Sequence, residues 1–577
     1  MKLKTIISAA LVCLVSAQIS SGQERQQPSW LSDAVVYQIY PSSFQDSDGN
    51  GIGDIPGIIS RLDYIKSIGV TAIWLNPIFV SGWTDGGYDV IDYYMVDPRF
   101  GTNTDLVNLV NTAHEKGLKV ILDLVAGHTS IQSEWFKQSS QAPDLRYSDY
   151  YIWPSFKPEI EGAKTDGPQD YAQLMNTFNN IVNKFVETDA PRGPYYVKNF
   201  FDTQPALNFG FANPDPEHPW EQAVDAPGPM AVRREIKNIM SFWMDKGVDG
   251  FRVDMAASLV KNDFDKSATI KLWKEDLSKW FKEEYPENLL IAEWFNPAQS
   301  IEAGFHVDFF CHDGKYNYAS LFFNTPGRGR DGVCWFDLEG KGELKTWYEL
   351  YTYQYDAVKG KGYVSMPSGN HDFTRLAAGP RDTEDQLKVA MTFFYTMPGV
   401  PFMFYGDEIG LEHQFNAPSK EGSGTGRAGT RIPMLWDSSE NAGFSTAAKE
   451  DLYLPQDPDP DRRTVESQEA NPNSLLNYVR ELIKLRRSSD ALGSDGDWRL
   501  VSSLDAPYPM IYERTSGDEV WVVALNPTSK KVTGEIPTYS ADPEPVFGSY
   551  DSVKYRSGKE VDKITLSPVS AAVFKVR

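Results

Sequence analysis

The sequence predicts an α/β protein: a (β/α)8 TIM barrel with a subdomain inserted after its third strand and a C-terminal antiparallel β domain. Three observations support this fold class. Short apolar runs alternate with helical patterns through most of the 577 residues. A stretch rich in Pro, Asp, Tyr and Ser interrupts the alternation after the third run, and it is too long for a plain loop. Near Leu492 the helical patterns end and strand-like alternation takes over.

Eight apolar runs are the candidate barrel strands, which is the number that closes such a barrel. In chain order they are VVYQIYP, TAIWLNPIF, KVILDLV, VDGFRVD, NLLIAEW, GFHVDFFC, GYVSMPSGNHD and PGVPFMFYGDEIG. Helical patterns such as TDLVNLVNTAHEKG and AVRREIKNIMSFWMDKG lie between them. In the tail, EVWVVALN and AAVFKVR alternate as the strands of an antiparallel sheet do.

These patterns also predict the domain boundaries. Residues 1–22 contain two lysines, a short apolar run and then small residues, which is typical of a signal peptide. We expect the barrel in 23–127 and 204–491, an inserted subdomain B in 128–203, and a C-terminal β-sandwich in 492–577. No later segment is apolar enough to span a membrane. The expected location is therefore periplasmic or secreted.

Charge and cysteine content exclude some classes of protein. Acidic residues outnumber basic ones by 79 to 56, a net charge of -23, which argues against nucleic acid and anionic membranes as partners. After removal of the signal peptide only Cys311 and Cys334 remain. Two cysteines are neither a disulfide framework nor a zinc site, and the sequence leaves open whether they pair.

Polar residues gather at the C-terminal ends of four candidate strands, where a TIM barrel places its active site. A single Asp or His at such a place commonly just caps the next helix. Four strands that deliver carboxylates, Arg and His to one rim instead indicate a catalytic site. The residues are Asp123, His128, Arg252, Asp254, Glu293, His371 and Asp372.

This set of residues suits retaining glycoside hydrolysis, which uses two carboxyl groups about 5 Å apart. Asp254 and Glu293 follow neighbouring strands, whose backbones lie about 4.8 Å apart. The apolar run before Glu293 predicts a raised pKa, as a general acid needs. Arg252 projects on the same side of the strand as Asp254, so we expect its charge to keep that carboxylate ionised.

The segments GFRVD, AEW and NHD, in this order, resemble the α-amylase superfamily of retaining glycosidases, and the similarity covers nearly the whole mature chain. The resemblance implies Asp254 as nucleophile, Glu293 as general acid/base and Asp372 as transition-state stabiliser. It further implies a set of residues that hold the sugar in the cleaved-glucose subsite, namely His128, Arg252 and His371.

Two further segments resemble the α-glucosidase and oligo-1,6-glucosidase branch of this superfamily. TDGGYDVIDY resembles the DNGYD element of that branch, and RAGTRIPMLWD resembles its RTPMQWD element. By this resemblance Tyr88 stacks on the terminal glucose, while Asp85 and Arg431 form a charged pair that binds its far hydroxyls. Such a pair closes the site into a pocket. The implied function is an exo-acting α-glucosidase that releases glucose from maltooligosaccharides or related α-glucans.

Alternatives remain within the same superfamily. Endo-acting α-amylases usually carry a Lys-His pair shortly after the nucleophile, where this chain has Ala257 and Ser258. A glucosyl-transferring or isomerising relative, such as a trehalose-synthase-like enzyme, uses the same covalent intermediate and is not separated by sequence. In this branch the residue after the nucleophile tracks with linkage: Val accompanies α-1,6 cleavage and a small residue accompanies α-1,4 cleavage. Here that residue is Met255, so the linkage preference stays open. A catalytically inactive binding protein is disfavoured, because all three carboxylates are present.

The stretch DSDGNGIGD, residues 46–54, matches much of a calcium-binding EF-hand loop, but its twelfth position is Gly57 instead of Glu and it follows a strand. A calcium sensor is therefore not expected. The glucosidase resemblance implies one structural Ca²⁺, bound by side chains and the Ile52 carbonyl. The side-chain ligands would be Asp46, Asp48, Asn50 and Asp54. The other calcium site common in the superfamily is expected to be lost, since Gly127 and Ala206 offer no oxygen ligand there.

Overall fold

The computed structural model describes residues 27–157, 184–311, 318–323, 333–539, 543–549, 553–559 and 561–576. All eight predicted barrel strands are present in one parallel sheet. Barrel strands 1 to 8 are Val36–Ile39, Ala72–Leu75, Lys119–Leu124, Gly250–Val253, Leu289–Ala292, Val307–Phe309, Tyr363–Ser365 and Phe402–Phe404. Strand 1 pairs with strands 2 and 8, and pairing then follows chain order to strand 7. The predicted fold class is thereby confirmed.

The barrel closes between strands 7 and 8 through the segment that follows strand 7. The Ser368 amide donates to the Phe402 carbonyl at 2.9 Å. The Phe404 amide donates to the Ser368 hydroxyl at 3.1 Å. A single serine thus replaces a regular ladder at this seam, and it directly precedes the loop that carries His371 and Asp372.

Several helices pack on the barrel through one apolar stripe. In the helix Asn103–Glu115, for example, a capping box starts the helix and every buried residue lies on one face. The described α-helices are Ile55–Ser60, Leu62–Ile68, Asn103–Glu115, Glu134–Ser139, Pro227–Met244, Ser267–Leu272, Ser278–Glu284, Pro297–Glu302, Tyr318–Phe322, Lys345–Val358, Glu384–Thr396, Gly424–Ala428, Val465–Glu469 and Leu475–Arg487. A π-helical stretch, Trp273–Leu277, links two of them.

Two short antiparallel pairs lie outside the barrel, Phe79–Ser81 with Val90–Val96 and Phe185–Glu187 with Tyr195–Val197. The second pair belongs to the stretch predicted as an inserted subdomain. A small separate core joins this stretch to residues beyond 203, its predicted end. The core residues are Ile152, Val197, Ala206, Phe211 and Trp220. Residues 158–183 of the insert and the predicted signal peptide, 1–22, lie outside the described residues.

The C-terminal domain is a β-sandwich of a five-stranded and a three-stranded sheet. The larger sheet runs in the order Asp497–Leu500, Met510–Ser516, Glu519–Asn526, Ser570–Lys575, Glu544–Gly548, and the smaller in the order Val532–Pro537, Val561–Leu566, Val553–Arg556. Val522 and Ala524 face the small sheet, whereas Val523 and Leu525 join the barrel-side core. Both faces of this strand are buried, because the helix Glu384–Thr396 packs against the sheet from the barrel.

Two sequence questions are answered within the part of the chain that the structure describes. No helix there is long and apolar enough to cross a membrane. Cys311 and Cys334 are both buried and unpaired.

Candidate active site

The register of barrel strands 3, 4 and 5 assembles a cluster of three carboxylates around one arginine. Asp123 lies beside Arg252 in the ladder, and Asp254 and Glu293 directly follow the paired ends of strands 4 and 5. Arg252 Nη1 lies 2.8 Å from Asp123 Oδ1 and 3.1 Å from Asp254 Oδ1. Its Nη2 lies 2.6 Å from Glu293 Oε1. One guanidinium therefore holds the two predicted catalytic carboxyl groups side by side, as a retaining mechanism requires.

The residue after the predicted nucleophile has a strained backbone. Met255 has φ 44°, in the left-handed region that residues other than Gly rarely adopt. In this conformation its amide donates a hydrogen bond to Glu293 Oε2 at 2.8 Å. The turn after strand 4 thus fixes the Glu293 carboxylate relative to Asp254.

The charge balance of this cluster differs from the prediction. Burial and the neighbouring Glu293 raise the pKa of Asp254 well above its usual value, and Arg252 opposes this rise only in part. The expected effect of the Arg252 charge on Asp254 is present, but burial and the neighbouring Glu293 outweigh it. The apolar surroundings predicted for Glu293 are wrong for its carboxylate, which contacts Arg252 and the Met255 amide.

The predicted sugar-holding residues form one connected network. The Tyr88 hydroxyl lies 2.8 Å from His371 Nε2 and donates to Asp123 Oδ2 at 3.0 Å. The rings of Tyr88 and His371 are stacked, with centroids 5.3 Å apart. His128 Nε2 lies 3.0 Å from the Tyr88 carbonyl, and its Nδ1 accepts from the Asn199 amide at 3.0 Å.

Both histidines of this network are neutral. Burial lowers the pKa of His128 to about 3 and that of His371 well below its usual value. A neutral imidazole can donate one hydrogen bond and accept another, which is how His128 bonds both the Tyr88 carbonyl and the Asn199 amide.

Asp372 is surrounded by two arginines and the imidazole of His371. Its Oδ1 lies 3.1 Å from Arg431 Nη2 and 3.3 Å from Arg427 Nη1, and its Oδ2 lies 3.1 Å from His371 Nε2. Burial alone raises its pKa, but His371, Arg431 and Arg427 together hold the pKa of Asp372 below its usual range. This carboxylate is therefore ionised, as a group that stabilises a developing positive charge must be.

Asp85 and Arg431, both predicted to bind the far hydroxyls of the terminal glucose, take different ion-pair partners. Asp85 Oδ1 pairs with Arg427 Nη2 at 3.1 Å, and its Oδ2 accepts from the Gln204 amide at 2.9 Å. Arg431 is buried beneath, where its Nε donates to the His371 carbonyl at 2.8 Å. Burial raises the pKa of Asp85 to about 6 despite its partner.

Arg427 is the main site residue that the sequence analysis missed. It contacts both Asp85 and Asp372 and so joins two loops at the end of the site. A signal was present, since Arg427 precedes Arg431 by only four residues in the same segment. Asn199 and Gln204 were also missed, and no local pattern marks them, because they come from the insert and its end.

The predicted calcium loop brings its carboxylates together. One oxygen each of Asp46, Asp48 and Asp54 lies within 4.8 Å of the others. The Asn50 amide donates to Asp48 Oδ2 at 3.1 Å, and the Ile52 amide donates to Asn50 Oδ1 at 2.8 Å. Clustered carboxylate and amide oxygens are the ligands that Ca²⁺ prefers, so the residues fit such an ion.

The fold and the rim carboxylates define the class of protein, a (β/α)8 enzyme built as retaining α-glycosidases are. Residues 38–495 match the family described as the α-amylase catalytic domain, and the chain belongs to this family. It is 30% identical over 600 residues to the oligo-1,6-glucosidase of Parageobacillus thermoglucosidasius, covering 95% of this chain and 99% of the relative. It is 28% identical to the α-glucosidase of Culex pipiens, covering 96% and 92%.

A solved structure is similar over the same length. An isomaltulose synthase variant from Erwinia rhapontici NX5, in complex with D-glucose, superposes with a TM-score of 0.74 at 25% identity. The match covers 96% of this chain and 100% of that one. The family match and these relatives make the chain a glycoside hydrolase of the α-amylase family.

Proposed function

We propose that this protein is an exo-acting α-glucosidase, which removes single glucose units from the non-reducing end of maltooligosaccharides or related α-glucans. The observation that carries the proposal is the charged cluster beyond the catalytic pair. Arg427 joins Asp85 to Asp372, and Arg431 backs Asp372 from beneath. Charged groups in this position bind the far hydroxyls of one terminal sugar and leave no path for a longer chain.

The proposed mechanism is retaining hydrolysis. It starts with Glu293 protonated and Asp254 ionised, and Asp254 attacks the anomeric carbon while Glu293 protonates the leaving oxygen. A covalent glucosyl-enzyme forms, and Glu293 then takes a proton from the water that releases glucose. Ionised Asp372 stabilises the positive charge that develops on the sugar ring. Arg252 contacts both catalytic carboxylates and keeps them in register.

A product time course on maltoheptaose and isomaltotriose tests the proposal. Glucose with the substrate shortened by one unit is expected as the only early product. A ladder of intermediate oligosaccharides from the start would show an open cleft and an endo-acting enzyme. The faster of the two substrates gives the linkage preference, and the Asp254→Ala protein serves as the inactive control.

Glucosyl transfer is a second candidate, and the similarity to an isomaltulose synthase supports it. Transfer uses the same glucosyl-enzyme but delivers glucose to a sugar hydroxyl instead of water. Incubation with sucrose or concentrated maltose, followed by chromatography, separates the two. Isomeric disaccharides as major products would identify a transferase, whereas free glucose at all substrate concentrations would identify a hydrolase.

We also propose one structural Ca²⁺ in the loop 46–54. The clustered oxygens of Asp46, Asp48 and Asp54 support it, with Asn50 and the Ile52 carbonyl as further ligands. When bound, the ion would neutralise the repulsion among the three carboxylates and stiffen the loop after strand 1. It takes no part in the chemistry.

Export through the N-terminal segment is proposed from its composition alone. Mass spectrometry of the protein recovered outside the cytoplasm checks this proposal. A mature N-terminus between Ser21 and Gln23 is expected, and an intact Met1 would contradict it.

A further inference from the structure

The segment 420–428, which carries Arg427, lies directly on the loop that carries Asp85. The Gly86 amide donates to the Glu421 carbonyl at 3.1 Å. At Gly422 an added Cβ would lie 2.1 Å from the Thr84 carbonyl oxygen, so only glycine permits this contact. The position of Arg427 against Asp85 therefore depends on how this segment is fastened.

Within the segment, Arg427 is held by carbonyl groups of the same segment. Its Nη2 donates to the Gly422 carbonyl at 3.0 Å and its Nε to the Ser423 carbonyl at 3.3 Å. A shift of the segment would move the guanidinium with it.

Glu421 fastens the segment to two other parts of the chain. Its Oε1 lies 2.8 Å from Arg99 Nη1, and its Oε2 accepts from the Tyr453 hydroxyl at 2.9 Å. The two charged side chains are only 12% and 18% exposed, so water screens this pair less than a typical surface pair. Glu421 also has φ 47°, a strained conformation that such contacts must hold in place.

Both partners of Glu421 contact residues beside the glucose end of the site, the cluster of Asp85, Asp372, Arg427 and Arg431. The Arg99 guanidinium lies 3.5 Å from the centre of the Trp83 ring. Trp83 precedes Asp85 by two residues. The Tyr453 hydroxyl lies 3.1 Å from that of Tyr40, over whose ring the Arg431 guanidinium sits at 5.1 Å.

We propose that Glu421 is a positioning residue for recognition of the terminal glucose. Through Arg99 and Tyr453 it fixes the segment 420–428, and thereby holds Arg427 where it reaches both Asp85 and Asp372. This inference rests on the proposed function, because it assigns Glu421 to the residues that would bind the far hydroxyls. Its effect falls on binding of the sugar rather than on bond cleavage.

Steady-state kinetics of Glu421→Gln on maltose test the inference. Glutamine keeps the shape and the hydrogen bond to Tyr453 but loses the charge facing Arg99. We expect KM to rise roughly tenfold with kcat within about twofold, and the inhibition constant of free glucose to rise in parallel. The matched control is Glu469→Gln, which removes a 2.8 Å pair with Arg480 among the outer helices and should change neither constant.

A second background shows whether Glu421 acts through Arg427. In an Arg427→Ala protein, Glu421→Gln should change KM by less than about twofold, because residues of one unit are not additive. An equal KM effect in both backgrounds, or an unchanged KM in the wild-type background, would overturn the inference. Arg99→Gln must reproduce the KM rise, and it provides the same test should Glu421→Gln fail to fold.

Failure of the proposed function and failure of the role of Glu421 give different results. If Arg427→Ala leaves both KM and the products unchanged, the proposed glucose end is wrong and the inference falls with it. If Arg427→Ala impairs glucose recognition while Glu421→Gln and Arg99→Gln do not, only the role of Glu421 is wrong.

Discussion

The site contains two clusters made of the same groups, arginines and carboxylates, but built in opposite ways. The catalytic cluster comes from the ends of three adjacent barrel strands: Arg252, Asp123, Asp254 and Glu293. The glucose-end cluster comes from loops far apart in sequence: Asp85, Asp372, Arg427 and Arg431. Strand register places the first cluster, and loop packing places the second.

The difference in composition sets opposite electrostatics. In the catalytic cluster one guanidinium contacts three carboxylates. Burial and the neighbouring Glu293 both raise the pKa of Asp254. In the glucose-end cluster two guanidinium groups serve two carboxylates, and the pKa of Asp372 stays below its usual range. The first arrangement retains a proton for catalysis, whereas the second keeps a fixed negative charge beside the sugar.

The largest expected effect is at the predicted nucleophile. Asp254→Asn should lower kcat by at least about 10⁴-fold, because no other carboxylate can form the glucosyl-enzyme. Turnover of maltose measures the loss, and circular dichroism checks the fold. Activity within about tenfold of wild type would remove Asp254 from the mechanism.

Loss of the bridging arginine should have the next largest effect. Arg427→Ala leaves Asp85 and Asp372 facing each other without their shared partner, so kcat/KM for maltose should fall roughly 100-fold. The matched control in the same segment is Lys420→Ala, expected to stay within about twofold. Equal effects of the two substitutions would show that the segment matters only for stability.

The pH dependence tests the charge balance of the catalytic cluster. Burial raises the pKa of Asp254, and activity is lost as the pH falls through that raised pKa, because the attacking carboxylate must be ionised. The mechanism requires Glu293 to be protonated, and thus uncharged, when Asp254 attacks, so Glu293→Gln should leave the acid limb within about half a unit of its wild-type position. The profile is measured with α-glucosyl fluoride, whose leaving group needs no general acid. An acid limb at the usual pKa of an aspartate, or one that Glu293→Gln moves by more than about one unit, would contradict this assignment.

Calcium should have the smallest effect. A chelator should lower the midpoint of thermal unfolding by about 2–4 °C, since an ion bound only by the folded chain stabilises it by mass action. Asp48→Ala is the comparison, because Asp48 is exposed and its loss leaves the core intact. The chelator should have no effect on this variant. If neither the chelator nor added Ca²⁺ changes the midpoint of thermal unfolding of the wild-type protein, the Ca²⁺ site is excluded.

The sequence could predict the catalytic cluster because neighbouring parallel strands end at one rim, so residues after consecutive apolar runs must meet. It also predicted the carboxylates of the loop 46–54, which are only a few residues apart. It could not choose between Arg427 and Arg431, since only four residues separate them and loop packing decides which of them reaches Asp85. The reach of the insert's core to Trp220 likewise depends on packing between distant segments.

The closed, exo-acting site is tested most directly by cleavage of two maltoheptaosides with a chromogenic reducing end. One has a free terminal glucose, and the other carries an acetal on the far hydroxyls of that glucose. The glucose-end cluster can bind only free hydroxyls at a chain end. We therefore predict release of glucose from the open substrate and at least about 100-fold slower cleavage of the blocked one. Efficient cleavage of the blocked substrate into shorter oligosaccharides would contradict a closed, exo-acting site.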